Sequence, residues 1–358
     1  MSGPVSRPTR VVITGATGNL GTGLLRRLRA EGEPHTVVGV VRRPPEVAGP
    51  PYDEVEWRTC DVGAMGAVDV LADAMNGADA VVHLAWQIQP SHNRVRMLRT
   101  NVTGSRHVFE AALRAGVPHL VHLSSVGAYS PGPKDRYVDE SWPTGGVASS
   151  SYSRHKSTVE RMLDRVEHDH PGLTVTRVRP GLAFQADAAS EIARYFLGAL
   201  VPSSLLRLPI KVLPMSVELV GQAVHAEDVG DALVRVLRQR PGGAFNLAAE
   251  PVIYPRDVAA VLGARLVTVP FGLLHALATL TWRARLQPVD AGWLDLGRAA
   301  PLMDTGRARR ELGWTPKHSA IDALRELLSG MAAGQGIDSP VMKPRHRLRT
   351  RLGEFLPG

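Results

Sequence analysis

This 358-residue sequence contains one cysteine, Cys60, so it can form no internal disulfide, and with no second cysteine or close histidine it offers no thiolate metal site. Cys60 reads as a buried residue at a strand end, and no metal is expected. Long clean apolar runs are also missing. The two most apolar regions, Tyr195 to Leu219 and Leu266 to Trp282, are broken by Arg, Lys, His or Pro well before the roughly 20 residues that a spanning helix requires. They are expected to wall an apolar pocket, with no transmembrane segment. The N-terminus lacks the basic, apolar and small-residue order of a secretory signal, so a cytoplasmic location is expected. There are no internal repeats.

Lysine is scarce: only five of the 42 Lys and Arg residues are lysine, so a lysine at a site stands out against an arginine background. The formal charge of +8 is concentrated, since Lys343, Arg345, Arg347, Arg349 and Arg351 lie in one short stretch. No aromatic residue interleaves with them to stack on bases, so no specific nucleic-acid site is expected. Weak attraction of this tail to an anionic surface is physically available.

What is present is an alternation of short apolar runs and helical patterns. Val11 to Thr14, Thr36 to Val41, Ala80 to Ala85, His119 to Ser124, Leu173 to Val178 and Ala244 to Leu247 read as buried strands. Thr22 to Ala30, Ala64 to Met75, Val102 to Ala115, Tyr152 to Glu167 and Ala226 to Arg238 read as helices. Near-continuous apolar strands separated by helices predict a parallel, doubly wound α/β sheet of the Rossmann type. After Arg179-Pro180-Gly181 the alternation loosens, with prolines at 202, 209 and 214. The expected organisation is a nucleotide-binding domain over 1–181 and 216–248, and a smaller, mostly helical substrate lobe over 182–215 and 249–330. A basic, disordered tail is expected over 331–358.

Thr14-Gly15-Ala16-Thr17-Gly18-Asn19-Leu20-Gly21 places three glycines at a three-residue period between the first strand and the first helix. Glycine there permits a tight turn, close approach of backbone to a pyrophosphate, and close packing of helix on strand. An acid at the end of the second strand would hold the free ribose hydroxyl of NAD, but Val41 stands there, followed by Arg42 and Arg43. Those guanidinium groups could pair with a 2′-phosphate, which favours NADP over NAD, with NAD as the alternative. Asp61 could accept from the adenine amine or simply form a turn.

Tyr152 and Lys156 are four apart on a predicted helix capped by one of Ser149, Ser150 or Ser151, so phenol and ammonium share a face. A neighbouring ammonium is expected to lower the phenol's pKa towards working pH, making it usable as an acid or base. A hydroxyl at the end of the strand starting near His119 would orient a reacting carbonyl; Ser125 is the choice and Ser124 the alternative. Asn101 would either anchor a water or a carbonyl in a proton path or cap a helix.

Together with Asp61-Val62, His83-Leu84-Ala85, Asn101-Val102-Thr103-Gly104, Tyr152-Ser153-Arg154-His155-Lys156, Arg179-Pro180-Gly181, His225-Ala226-Glu227-Asp228-Val229 and Leu312-Gly313-Trp314-Thr315-Pro316, these motifs resemble the extended short-chain dehydrogenase/reductase superfamily, in particular the NAD-dependent epimerase/dehydratase group. The resemblance runs from Val11 to about Leu328. It implies a catalytic set of Ser125, Tyr152, Lys156 and Asn101, the serine standing four residues before Tyr129. The implied cofactor path is Gly15, Thr17, Gly18, Asn19, Leu20, Gly21, Arg42, Arg43, Asp61, Val62, Leu84, Ala85, Lys156 and Pro180. It also implies a homodimer formed through helices Val102 to Ala115 and Tyr152 to Glu167.

Departures from the group's pattern concern the substrate. Leu182 follows Arg-Pro-Gly where relatives acting on nucleotide sugars carry Asn, Trp86 stands where a small residue is common, and Ser130 follows Tyr129 where glycine is usual. With Ser125 and Tyr152, Trp86 and Leu182 would frame an apolar alcohol or carbonyl compound. Three readings follow: a reductase or dehydrogenase using hydride transfer, a nucleotide-sugar epimerase or dehydratase with a tightly held cofactor, and a non-catalytic NADP(H)-binding sensor or assembly protein.

Overall fold

The computed structural model describes residues 9–344, apart from 33, 47–48, 89–91, 197–209 and 288. The first half alternates as the apolar runs predict: β1 (Thr9–Thr14), α1 (Asn19–Ala30), β2 (His35–Val41), β3 (Val55–Thr59), α2 (Ala67–Met75), β4 (Ala80–His83), α3 (Arg94–Leu98), α4 (Gly104–Arg114) and β5 (His119–Leu123). There follow β6 (Tyr137–Val138), α5 (Ser151–Asp169), β7 (Thr174–Pro180), β8 (Leu182–Phe184), α6 (Ala189–Phe196), β9 (Val212–Met215), β10 (Gly221–His225), α7 (Ala226–Gln239) and β11 (Gly243–Leu247). The remainder comprises β12 (Ala249–Ile253), α8 (Pro255–Val261), β13 (Arg265–Thr268), α9 (Phe271–Arg283), α10 (Gly292–Ala299), β14 (Leu302–Met303), α11 (Gly306–Leu312) and α12 (Ala320–Ala333).

Seven parallel strands form one sheet in the order β11-β7-β5-β4-β1-β2-β3. The order reverses between β1 and β4, so the crevice beyond their carboxyl ends is where such a sheet binds its ligand. One face buries Val11, Ile13, Val82 and Val178 against α1 and α7, and the other buries Val12, Val81, Leu120 and Val175 against α2, α4 and α5. The α1–α7 crossing is close because Gly23 and Gly230 meet there: a Cβ on Gly23 would lie 2.6 Å from the carbonyl oxygen of Ala226.

Two of the motifs prove to be structural clamps. Asp228 of α7 accepts from the backbone amides of Lys317 and His318, both at 3.0 Å, and Trp314 Nε1 donates to the Asp228 carbonyl at 2.8 Å. Burial of Trp314 thus ties the chain after α11 back to the large sheet's helices. His225 caps α7 by accepting from the amide of Glu227, and its other ring nitrogen meets Glu326 at 3.1 Å. His225, Glu227 and His318 bring potential metal-ligand atoms within 4.8 Å of one another, but both His225 nitrogens already have these partners.

The second lobe is mostly helical, with short strands among its helices. Residues 221–225, anticipated within the nucleotide-binding domain, form β10, which pairs with β8 and β12 in a separate three-stranded sheet. A two-residue pairing of β14 with β6 and a parallel pair of β9 with β13 complete the lobe. Residues 331–344, expected within a disordered tail, are packed on the body, with Ser339 and Met342 fully buried. Arg345, Arg347, Arg349 and Arg351 lie outside the described residues, as does 197–209 of the first apolar region. Among the described residues no helix is long and apolar enough to cross a membrane.

Candidate active site

The crevice is a single cleft of about 1750 Å³, large enough for a dinucleotide and a second molecule. Every site residue predicted from the sequence lines it except Asn101. Its floor is the glycine turn. Gly15 adopts φ +75°, and a Cβ there would fall 2.7 Å from the backbone nitrogen of Ala85; at Gly21 it would fall 2.5 Å from the carbonyl oxygen of Ala16. Gly18 caps α1 with no side-chain bond, leaving the first-turn amides of a 12-residue helix directed at the cleft. A cradle with no room for a Cβ at Gly15 or Gly21, leading into the first turn of a helix, fits a pyrophosphate, so these residues suit a nicotinamide dinucleotide.

Arg42 and Arg43 line the cleft just beyond β2. The Arg42 guanidinium is held below its ordinary pKa by partial burial, with Arg96 and Arg43 adding to the effect and Asp61 opposing it. Asp61 itself forms a turn by accepting from the Gly63 amide at 3.0 Å and lies 3.5 Å from Arg99. Asn19 is committed elsewhere: its side chain donates to the Ala183 carbonyl and accepts from Gln185, pinning β8 to the glycine turn.

The carboxyl end of β5 and the first turns of α5 carry Ser125, Tyr152 and Lys156, the residues expected to react. Ser150 caps α5, which fixes the phase of Tyr152 and Lys156. Tyr152 and Ser125 meet over Gly127, where a Cβ would lie 2.8 Å from the phenol ring and 3.4 Å from the Ser125 oxygen, and that oxygen accepts from the Gly127 amide at 3.0 Å. Ser124, the alternative, points away from the phenol and donates to Glu160 at 2.5 Å. Tyr129 is also outside the site, buried with its hydroxyl on Asn246 and Arg179.

The expected effect of Lys156 on Tyr152 is not what the structure shows. Lys156 Nζ donates to the Leu123 carbonyl at 2.6 Å and sits 3.6 Å from the centre of the Trp86 ring, but 6.0 Å from that of Tyr152. Burial pushes the phenol up to about 12, with the Ser125 hydroxyl opposing it. Burial also brings the ammonium down to about 7, against the pull of Glu160. Desolvation outweighs the pairing because an indole, not the phenol, faces the charge.

Of the two readings of Asn101, the structure goes against the cap and shows it holding a backbone carbonyl. It sits inside a π-helical turn, Arg99–Thr103, and caps nothing. Fully buried, it accepts from the Gln87 amide at 2.7 Å and donates to the Gln87 carbonyl at 2.8 Å. It therefore fixes the chain immediately after Trp86.

Sequence reasoning missed the groups that close the site from a distance. Trp293 of α10 lies 4.9 Å from Tyr152, ring centre to ring centre, and Trp86 lies 6.1 Å away on edge, so two indoles bracket the phenol. Ser339 Oγ donates to the Thr17 carbonyl at 3.0 Å, carrying Pro340 and Val341 into the cleft wall. A local pattern of apolar spacing flags neither. Beneath the site, Glu160 is completely buried and accepts from Arg179 twice at 2.9 Å and from Arg177 at 3.1 Å.

A Rossmann sheet with a glycine cradle and a Ser, Tyr and Lys set at one crevice defines a nicotinamide-dependent class of protein. The sequence matches the NAD dependent epimerase/dehydratase family over residues 11–248, and the chain belongs to that family. Among named relatives, a 4-hydroxy-2-methyl-3-oxo-4-farnesyl-3,4-dihydroquinoline-1-oxide ketoreductase of Stigmatella aurantiaca is 27% identical, covering 91% of this chain and 98% of that protein. An uncharacterized protein of Mycobacterium tuberculosis is 28% identical over 88% of this chain, which spans only 29% of that protein's length. The fold is also that of a UDP-glucose 4-epimerase of Stenotrophomonas maltophila with bound NAD and formylated UDP-arabinopyranose (TM-score 0.67, 21% identity, covering 91% and 98% of the two chains).

Proposed function

We propose that this chain is an NADP(H)-dependent oxidoreductase that interconverts a carbonyl and an alcohol on an apolar small molecule, working mainly as a reductase. The observation that carries this reading is the placing of Ser125 and Tyr152 side by side over Gly127, in the same cleft as the glycine cradle and enclosed by Trp86, Trp293, Val126 and Leu296. A nicotinamide bound along the cradle would supply hydride chemistry. Ser125 and Tyr152 would grip the carbonyl oxygen, and Tyr152 would pass its proton to that oxygen. A phenol that burial keeps protonated at neutral pH suits a proton donor better than a base. Lys156, one helical turn away, has its ammonium on the Leu123 carbonyl and under the Trp86 ring, and would hold the nicotinamide ribose rather than the phenolate.

Leu182, half exposed in the cleft, offers no amide to a sugar diphosphate, and the relative named as a ketoreductase of a farnesylated compound agrees with an apolar substrate. Arg42 and Arg43 beside a second strand without a terminal acid support NADP over NAD. The strap from Ser339 to Val341 favours one alternative, an epimerase or dehydratase that never releases its cofactor.

The test is a panel of apolar ketones and nucleotide sugars, each followed by NADPH and NADH absorbance. The expected result is net NADPH consumption with ketones, lost by about a hundredfold or more in Tyr152→Phe while NADPH binding is kept. Turnover of a nucleotide sugar without net cofactor consumption would overturn the reading.

A further inference from the structure

The C-terminal lobe carries a helix whose polarity is inverted. A helix on a soluble surface turns its charged side to water, yet the exposed positions of α9 are Gly272, Leu273, Ala276, Leu277 and Leu280, with no charge before Arg283. Leu273 is 62% exposed, Leu277 55%, Leu280 66%, and Leu286 just beyond the helix 63%. Val267 and Val212, on the β13–β9 pair that leads into this helix, are exposed as well. Scattered exposed leucines need no explanation, but a contiguous set does.

The patch is continuous with the cleft. A shallow groove between α9 and β9 is walled by Pro214, Met215, Leu274, Leu277 and Leu286, and Met215, Leu219, Ala278, Gln287 and Leu294 line both this groove and the cleft. Charge at the exposed edges of the patch is mainly positive, the acids Asp295 and Glu218 being paired with His275 and Arg298. No Asp or Glu occurs between Asp257 and Asp290, or between Glu191 and Glu218, whereas Arg265, Arg283 and Lys211 stand exposed at its edges. In a two-fold pair of identical chains, these cations would face one another.

We propose that the α9 face docks on an anionic lipid surface and that lipophilic substrate enters the cleft from it along the groove beside β9. Leucines would enter the headgroup boundary while the rim cations meet lipid phosphates, as in interfacial helices. The delivery half rests on the apolar-substrate reading above; the docking half does not.

The experiment is flotation of the full chain with phosphatidylcholine vesicles, with and without phosphatidylglycerol. It compares the wild type, Leu273→Glu/Leu277→Glu/Leu280→Glu, and a tail variant with Arg345, Arg347, Arg349 and Arg351 changed to Gln. The expected result is wild-type binding to the anionic vesicles, weakened about tenfold or more by the leucine changes at an unaltered unfolding midpoint, and largely kept by the tail variant. Absence of wild-type binding, binding unaffected by the leucine changes, or binding lost only with the tail would each overturn the proposal. So would a leucine-dependent dimer in sedimentation velocity, or a leucine variant that is merely unstable because 197–209 covers this face. With a vesicle-dissolved long-chain ketone, the leucine variant should lose turnover while keeping it on a short soluble ketone. Vesicle binding without turnover of any ketone would sink the reductase reading and leave the docking intact.

Discussion

Replacing Glu160 by Gln tests whether the buried ion network is structural support for the site. Arg177 would keep Asp164 and Glu167 as partners, so its charge stays compensated. Arg179 would keep only neutral acceptors, the Tyr129 hydroxyl and the Glu140 carbonyl, both at 3.0 Å. One buried cation is therefore orphaned, and the cost should lie near the lower end of the 3–5 kcal/mol typical of breaking a buried pair, about 3 kcal/mol. At about 2–4 °C per kcal/mol, the unfolding midpoint should fall by about 6–12 °C.

Burial alone would raise the Glu160 pKa, but Arg179, Ser124 and Arg177 hold it below the usual carboxylate value. Its stabilising contribution is then present above the unfolded-state pKa and lost as pH falls through the lower native one. The stability gap between wild type and variant should accordingly close in acid. Thermal unfolding followed by circular dichroism across pH is the assay, with Glu160→Gln/Arg179→Leu as the paired control. That double variant should recover part of the loss, since removing both charges is less damaging than removing one. A single-variant loss under about 1 kcal/mol, or a double variant no better than the single, would refute the network's role.

Arg42→Ser should raise the KM for NADPH by about 10- to 100-fold, the worth of one charge-assisted hydrogen bond of about 1.5–3 kcal/mol, and leave that for NADH little changed. Gly21→Ala should abolish dinucleotide binding measured by fluorescence titration, because its Cβ would meet the Ala16 carbonyl at 2.5 Å and push α1 off the turn. Lys156, lowered to about 7 in the folded chain, binds its proton less tightly than when unfolded, so its burial penalty is largest below pH 7 and fades as pH rises towards its unfolded value. Lys156→Met should therefore flatten the rise in stability over that window in denaturant titrations. Truncation after Gly334 should speed NADPH release in stopped-flow fluorescence, whereas truncation after Pro344, which keeps Ser339 on Thr17, should not.

The parallel sheet was legible because six of its strands are buried as near-continuous apolar runs, while the edge strand β3, partly exposed, is not such a run; the glycine turn was legible because Gly15 and Gly21 leave no room for a Cβ. Tyr152 and Lys156 were legible for a local reason, since a serine cap, one of three candidates, and an i,i+4 spacing fix them relative to one another, whereas Ser125 followed from the strand end and the family resemblance. Pairing across the fold was not. Leu182–Phe184 is too short to announce a strand, and it becomes one only because β10 arrives alongside. Asn101 reads as a cap in isolation, while its amide is consumed by Gln87 across a π-helical turn. The tail from 331 reads as charge, yet Ser339 and Met342 in its first part are buried, Ser339 on the Thr17 carbonyl of the glycine turn more than 300 residues away.

The departure at Trp86 links these observations to the substrate. With a small residue there, the Lys156 ammonium would have open access towards Tyr152; the indole instead covers it at 3.6 Å, and Asn101 locks the following backbone in place. The phenol of Tyr152 is then set between two indoles, with the Ser125 hydroxyl beside it. Such a frame matches a molecule that presents one oxygen on an otherwise apolar body, because every further hydroxyl would be buried against a ring without a partner, at about 1–3 kcal/mol each. Trp86→Ala should therefore open the site to polar substrates at the expense of apolar ones, measured as the ratio of kcat/KM for a hydroxylated and an unsubstituted ketone. An unchanged ratio would show that the indole does not select.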